Sequence, residues 1–120
     1  MLTHELAHAY TQLGADIESR RWPAAAFAKA ETEVKEGLAQ YYTDRVLRRL
    51  SRRYAGALAA YEQMLPGQPA PYRTHVEWVE TSTPEAVRRA MLEIRRWNEG
   101  TLSDFNRRLA DANKQLKRET

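Results

Sequence analysis

The sequence predicts an all-α single domain spanning residues 1–120, and three observations lead to that prediction. Alanine, leucine, glutamate, arginine and glutamine dominate the composition, and all five favour helices. Glycine and proline are few, with five of each, and most of them stand between segments of helical periodicity. No stretch alternates apolar and polar residues in the manner of a half-buried strand.

The first half of the chain, about residues 1–50, divides into helices at its glycines and prolines. A helix is predicted from about Thr3 to Leu13, because its apolar residues recur at helical spacing and Gly14 can end it. A short helix follows Pro23, and a longer one runs from roughly Glu33 to Leu50. The longer helix has an apolar side of Val34, Leu38, Tyr41, Tyr42 and Val46 and a polar stripe of Glu33, Glu36, Gln40 and Asp44.

The second half, about residues 54–118, continues as helices. A helix is predicted for residues 54–65, and a short helix or a strand for 72–79. A further helix over 84–97 can be capped by Ser82 or Thr83. The last helix carries apolar residues three and four positions apart, which predicts a narrow coiled-coil-like seam. The residues of this seam are Leu102, Phe105, Leu109, Ala112 and Leu116.

Composition excludes several classes of protein. The chain has no cysteine, so disulfides and thiolate metal sites are excluded and any metal must be held by histidine and carboxylate. No apolar run reaches the roughly 20 residues needed to cross a bilayer, and no signal peptide is visible, which favours a soluble, cytoplasmic protein. The net charge is +3, and arginine pairs recur. We interpret the pairs as solvated helix faces, which makes a nucleic-acid partner the less favoured alternative.

One motif carries chemistry. The segment His4-Glu5-Leu6-Ala7-His8 fits H-E-x-x-H. Residues four apart lie on the same helix face, so both imidazoles can bind one zinc ion while Glu5 accepts a proton from the water that the metal activates. Chance gives this pattern in roughly 1% of such sequences. The alternative is two surface histidines on a polar helix face, and the helical wheel fits both interpretations.

A second segment adds to this interpretation. Glu36-Gly37-Leu38-Ala39-Gln40-Tyr41 resembles the N-E-G-F-A-x-Y motif of the aminopeptidase family of gluzincins, which are zinc metallopeptidases. The resemblance implies that Glu36 is the third zinc ligand, beside His4 and His8, on a helix antiparallel to the first. Two features depart from the family pattern. Lys35 stands where the family has asparagine, and the interval from His8 to Glu36 is longer than in those enzymes.

Other residues remain candidates for parts of such a site. Glu33, Glu31 and Asp16 are alternative third ligands. If Glu36 is the ligand, Glu33, Gln40 and Asp44 are candidates to orient the histidines, and the favoured alternative for each is a solvated polar residue. Tyr72 and His75 follow a proline-rich turn and are candidates for the donor that stabilises the oxyanion. The alternative for this pair is that Tyr72 packs and His75 is exposed.

The function predicted from these residues is zinc-dependent peptide hydrolysis, or a fragment or remnant of that activity. Zincins place a β-sheet before the active-site helix, and here the motif begins at residue 4. We therefore expect peptide hydrolysis by the isolated chain to be weak or absent. Two other functional classes stay open. One is a non-catalytic helical protein with a vestigial motif, with a second copy as a candidate partner through the C-terminal seam, and the other is a basic nucleic-acid-binding module.

Overall fold

The computed structural model describes residues 4, 7, 21–50 and 55–119, except for the side chains of Ala55 and Tyr72. The regular elements of this described part are all helices, which confirms the predicted all-α class. Two short 3-10 helices, Leu65–Gly67 and Ala70–Tyr72, precede the fourth α-helix. In chain order the α-helices are α1 (Ala24–Lys29), α2 (Thr32–Arg49), α3 (Ala55–Met64), α4 (His75–Thr81), α5 (Pro84–Arg96) and α6 (Leu102–Glu119).

The helix bounds follow the sequence prediction closely where the residues are described. The ambiguous segment around 72–79 is helical, because α4 occupies most of it. Thr83 is the cap of α5, since its Oγ1 accepts a hydrogen bond from Ala86 N at 3.2 Å. The helix predicted over residues 3–13 lies outside the described residues apart from His4 and Ala7, which are both helical. No helix in the described part of the chain is long and apolar enough to cross a membrane.

The core lies where α4, α5 and α6 meet one side of α2. Trp78 of α4 and Phe105 of α6 are fully buried, with ring centroids 4.3 Å apart. Val34 and Leu38 of α2 belong to the same buried cluster. The cluster therefore fixes α2 against the C-terminal half of the chain and leaves the other side of α2 to meet His4.

The seam on α6 is buried, as the sequence predicts. Phe105, Leu109 and Ala112 are in the core, and Leu102 and Leu116 pack against it while partly exposed. The partner helix is α5 of the same chain. The sequence makes this face a candidate contact with a second copy of the chain, and in the structure α5 of the same chain covers it.

Burial on α2 differs from the prediction. The sequence places Val46 on the apolar side, but Val46 is 42% exposed, whereas Gln40 and Asp44 of the polar stripe are buried. The reason is that α2 is covered on two sides. A second buried face follows Gly37, Gln40, Asp44 and Leu47 at spacings of three and four residues, and Val46 lies outside it.

Arginines of the recurring pairs meet acidic side chains between α5 and α6. Arg89 Nη2 lies 3.1 Å from Glu119 Oε2, and Arg108 Nε lies 2.8 Å from Glu99 Oε1. The hydrogen bond from Arg108, together with one from Arg107, holds the pKa of Glu99 below its ordinary value. The first contact joins α5 to the C-terminal end of α6, and the second joins α6 to the loop between the two helices. Both lie near the surface, where an ion pair contributes little stability.

Gly37 allows α2 and α4 to pack closely. A Cβ placed on Gly37 would lie 2.7 Å from Cη2 and 3.1 Å from Cζ3 of Trp78. The indole is fully buried against Phe105, so it has little room to move away. The glycine of the Glu36-Gly37 motif is therefore required by packing.

We expect Gly37→Ala to lower the free energy of unfolding by about 1–3 kcal/mol, because the added methyl group overpacks the core. Gly56→Ala is the matched control, since nothing lies within 4 Å of a Cβ at Gly56 in α3. Alanine is the better helix former, so the control should be neutral or stabilised by up to about 1 kcal/mol. Urea denaturation of both variants is the measurement, and equal stabilities would contradict the packing role of Gly37.

Candidate metal centre

Helix α2 presents two polar side chains to His4. Glu36 and Gln40 are one turn apart, so they project from the same side of the helix. Glu36 Oε2 lies 2.8 Å from His4 Nε2, and Gln40 Oε1 lies 2.9 Å from His4 Nδ1. The side chains of His4 and Glu36 are only 14% and 17% exposed. The three residues, named below the His4–Glu36–Gln40 cluster, form a nearly enclosed polar site.

The two contacts of His4 constrain which of its ring nitrogens carry a proton. A carboxylate oxygen and an amide oxygen are both acceptors, so each contact is a hydrogen bond only when the facing ring nitrogen carries a proton. A ring with a proton on each nitrogen would make both hydrogen bonds, and it would then form an ion pair with Glu36. A metal cation on Nε2 would replace that proton and bind the Glu36 carboxylate. The Nδ1–H group would keep its hydrogen bond to Gln40 Oε1.

The donor set of this cluster fits zinc. Histidine nitrogen and carboxylate oxygen are ordinary zinc ligands at about 2.0–2.2 Å, which puts two ligands of a tetrahedral ion about 3.4 Å apart. The observed separation of 2.8 Å between His4 Nε2 and Glu36 Oε2 would have to widen by roughly half an ångström. A rotation of the Glu36 side chain can supply such a change.

The described residues include no group of three histidines or acidic side chains placed to hold a metal ion. The third ligand of the predicted set is His8, which lies outside the described residues, as does the candidate base Glu5. The structure therefore brings together two of the three predicted ligands, His4 and Glu36, from positions 32 residues apart in the chain.

The alternative third ligands differ in their contacts and in whether the structure describes them. Glu31 Oε1 accepts a hydrogen bond at 2.7 Å from Leu102 N, so its carboxylate caps α6. Glu33 is partly buried on α2, one turn before Glu36. Asp16 lies outside the described residues. Of the candidates within the described part, Glu36 is the one with a contact to His4.

Lys35, which departs from the family motif, points away from the cluster. Its Nζ donates to Ala28 O at 3.3 Å and lies 5.6 Å from the centroid of the Phe27 ring. The side chain therefore supports the junction between α1 and α2. Lysine at this position is compatible with a Glu36 carboxylate that faces His4.

A second buried polar group lies between α3 and α4. His75 is 1% exposed, and its Nε2 lies 2.9 Å from Tyr61 Oη. Burial raises the pKa of Tyr61, and the nearby Asp44 carboxylate adds to the rise. Tyr61 therefore remains a neutral phenol, able to share a hydrogen bond with His75.

The buried position of His75 bears on its predicted role as an oxyanion donor. The expectation of an exposed His75 is wrong, because the ring is enclosed in the core and lies against Tyr61 Oη. The role of His75 as an oxyanion donor stays a prediction. Tyr72 ends a 3-10 helix, but its side chain is outside the described part. The Tyr61–His75 pair itself was not anticipated, because nothing in the spacing of α3 and α4 indicates which of their residues meet.

Asp44 extends the polar side of α2 toward α3. Its Oδ1 accepts a hydrogen bond at 2.8 Å from Arg48 Nε, and Arg48 also lies 3.4 Å from Glu62 of α3. The carboxylate of Asp44 is buried and already paired. It therefore contributes to the attachment of α3 and is not a second ligand at the His4 end.

Comparisons of the chain with protein-family models, curated proteins and solved structures find no match.

Proposed function

We propose that the chain carries the zinc-binding part of a metallopeptidase site of the gluzincin type. His4, His8 and Glu36 are the ligands, and Glu5 is the general base. The observation that carries the proposal is the 2.8 Å contact between His4 Nε2 and Glu36 Oε2. These two atoms belong to the two short motifs that suggested zinc ligands, and they meet across 32 residues of sequence.

The surroundings of the contact support a metal site. Both side chains are mostly withdrawn from water, which strengthens the attraction of a carboxylate for a cation. Gly37 leaves room for Trp78 to pack closely against α2, the helix that carries Glu36. A carboxylate on a rigid helix is held in place before a metal arrives, which favours affinity.

The roles of the residues follow from their chemistry. Zinc bound here would act as a Lewis acid that polarises a peptide carbonyl and activates water. His4 and Glu36 hold the ion from two elements, and His8 supplies the second imidazole at the i+4 position. Glu5 follows His4 in the sequence and would accept a proton without being a ligand.

Isothermal titration with zinc tests the proposal. We expect the native chain to bind one zinc ion, and His8→Ala to bind it about 10²–10³-fold more weakly, because one ligand carries roughly a quarter of about 10–16 kcal/mol. Glu5→Gln is the control, since it removes the base and leaves every ligand, and its affinity should match that of the native chain. Equal affinities of the native chain and His8→Ala would contradict the proposal, and the His4–Glu36 contact would then serve only to attach His4 to α2.

A further inference from the structure

We propose that Gln40 is the positioning residue of the zinc site, and that it makes Nε2 the atom of His4 that binds the metal. The inference rests on the proposed function. It starts from the 2.9 Å contact between Gln40 Oε1 and His4 Nδ1, on the side of the ring opposite to the one that Glu36 meets.

The direction of this hydrogen bond selects the ligand atom. An amide oxygen accepts only, so the facing Nδ1 must carry the proton. The lone pair that binds a cation is then on Nε2, the atom that faces Glu36. Had Gln40 presented its NH₂ group, Nδ1 would hold the lone pair and would be turned away from the carboxylate.

The burial of Gln40 strengthens its preference for a proton on His4 Nδ1. Its side chain belongs to a residue only 7% exposed, so water has little access to compete for the amide oxygen. A buried amide without a partner costs free energy, which means that the ring and the amide hold each other in place. Because Gln40 lies one turn after Glu36, the same helix fixes both the orientation of the imidazole and the position of the carboxylate.

The chemical nature of the residue also matters. Glutamine supplies an acceptor without adding charge, so the proposed ligand set keeps a single carboxylate. Among the described residues Gln40 is the one in contact with His4 Nδ1. Groups that orient a metal-binding histidine in this way typically contribute about 10–100-fold to metal affinity.

Three variants test the inference through zinc affinity, measured by competition with a chromophoric chelator. Gln40→Met keeps the length of the side chain and removes the acceptor, and we expect about 10–100-fold weaker binding. Gln40→Glu keeps an acceptor oxygen and should bind at least as tightly as the native chain. Gln63→Met, at an exposed position on α3, is the matched control and should leave affinity unchanged.

A purely structural role for Gln40 predicts another pattern. Methionine is readily buried, so a packing residue would be replaced without loss of affinity, and Gln40→Glu would be the damaging change because it buries a charge. Native affinity in Gln40→Met together with weakened binding in Gln40→Glu would overturn the inference while leaving the proposed function standing. Absence of zinc binding by the native chain would overturn both.

Nitrogen-15 correlation spectra of the native chain loaded with zinc provide a readout that needs no substitution. We expect the His4 ring to carry its proton on Nδ1 and the metal on Nε2. This measurement decides the question even if Gln40→Met does not fold. The opposite arrangement, with the proton on Nε2, would overturn the inference.

Discussion

Replacing Glu36 by glutamine is expected to weaken zinc binding by about 10²–10³-fold. The substitution preserves the shape of the side chain, and its amide oxygen can still accept a hydrogen bond from His4 Nε2. What is lost is the negative charge that attracts the cation. Zinc sites bind with about 10–16 kcal/mol shared among roughly four ligands, so one ligand contributes about 2.5–4 kcal/mol. The fold should survive, because the contact between the two side chains remains possible.

Glu33→Gln is the matched control for this prediction. Glu33 lies one turn earlier on α2 and was the alternative third ligand on the same stripe. Its affinity should equal that of the native chain in the same competition assay. The reverse result, with Glu33→Gln weak and Glu36→Gln unchanged, would assign the third ligand to Glu33 and contradict the role given to Glu36.

Leu109→Ala is expected to lower the free energy of unfolding by about 2–5 kcal/mol. Leu109 is 5% exposed on the face of α6 that packs against the core, so truncation leaves a cavity as well as lost apolar burial. Domains of this size are stable by about 5–15 kcal/mol, so the loss is a large share of the total. Thermal and urea melts followed by circular dichroism are the measurement.

Leu50→Ala makes the same chemical change at the end of α2, where the side chain is 40% exposed. Its cost should be a fraction of that at Leu109, because less surface is buried and no enclosed cavity forms. If both leucines cost the same, the α6 seam is not the buried interface that holds the C-terminal half together.

Much of the helical architecture could be predicted from local sequence signals. Proline at the first turn of α5, with threonine before it, predicts that start because a hydroxyl caps free backbone N–H groups. The seam of α6 can be predicted from the sequence, because the spacing of three and four residues places Phe105 and Leu109 on one face. Both signals depend on residues close together in the chain.

The parts that could not be predicted depend on contacts between distant segments. Val46 was assigned to the apolar side of α2, but which side is covered depends on how α3 and His4 attach, and that is not encoded in the periodicity of α2. The burial of His75 depends likewise on its meeting Tyr61 of α3. The meeting of His4 and Glu36 could be predicted only because the segments that carry them resemble two motifs of a known family.

The X-ray absorption spectrum of the zinc-loaded chain at the zinc edge tests the central claim most directly. The chain has three histidines, and His75 is enclosed in the core against Tyr61. A zinc ion bound by two imidazoles is therefore bound by His4 and His8. We predict scattering from two imidazole rings with nitrogen at about 2.0–2.1 Å and from oxygen ligands at about 2.0–2.2 Å. A spectrum with oxygen ligands and no imidazole would contradict the account.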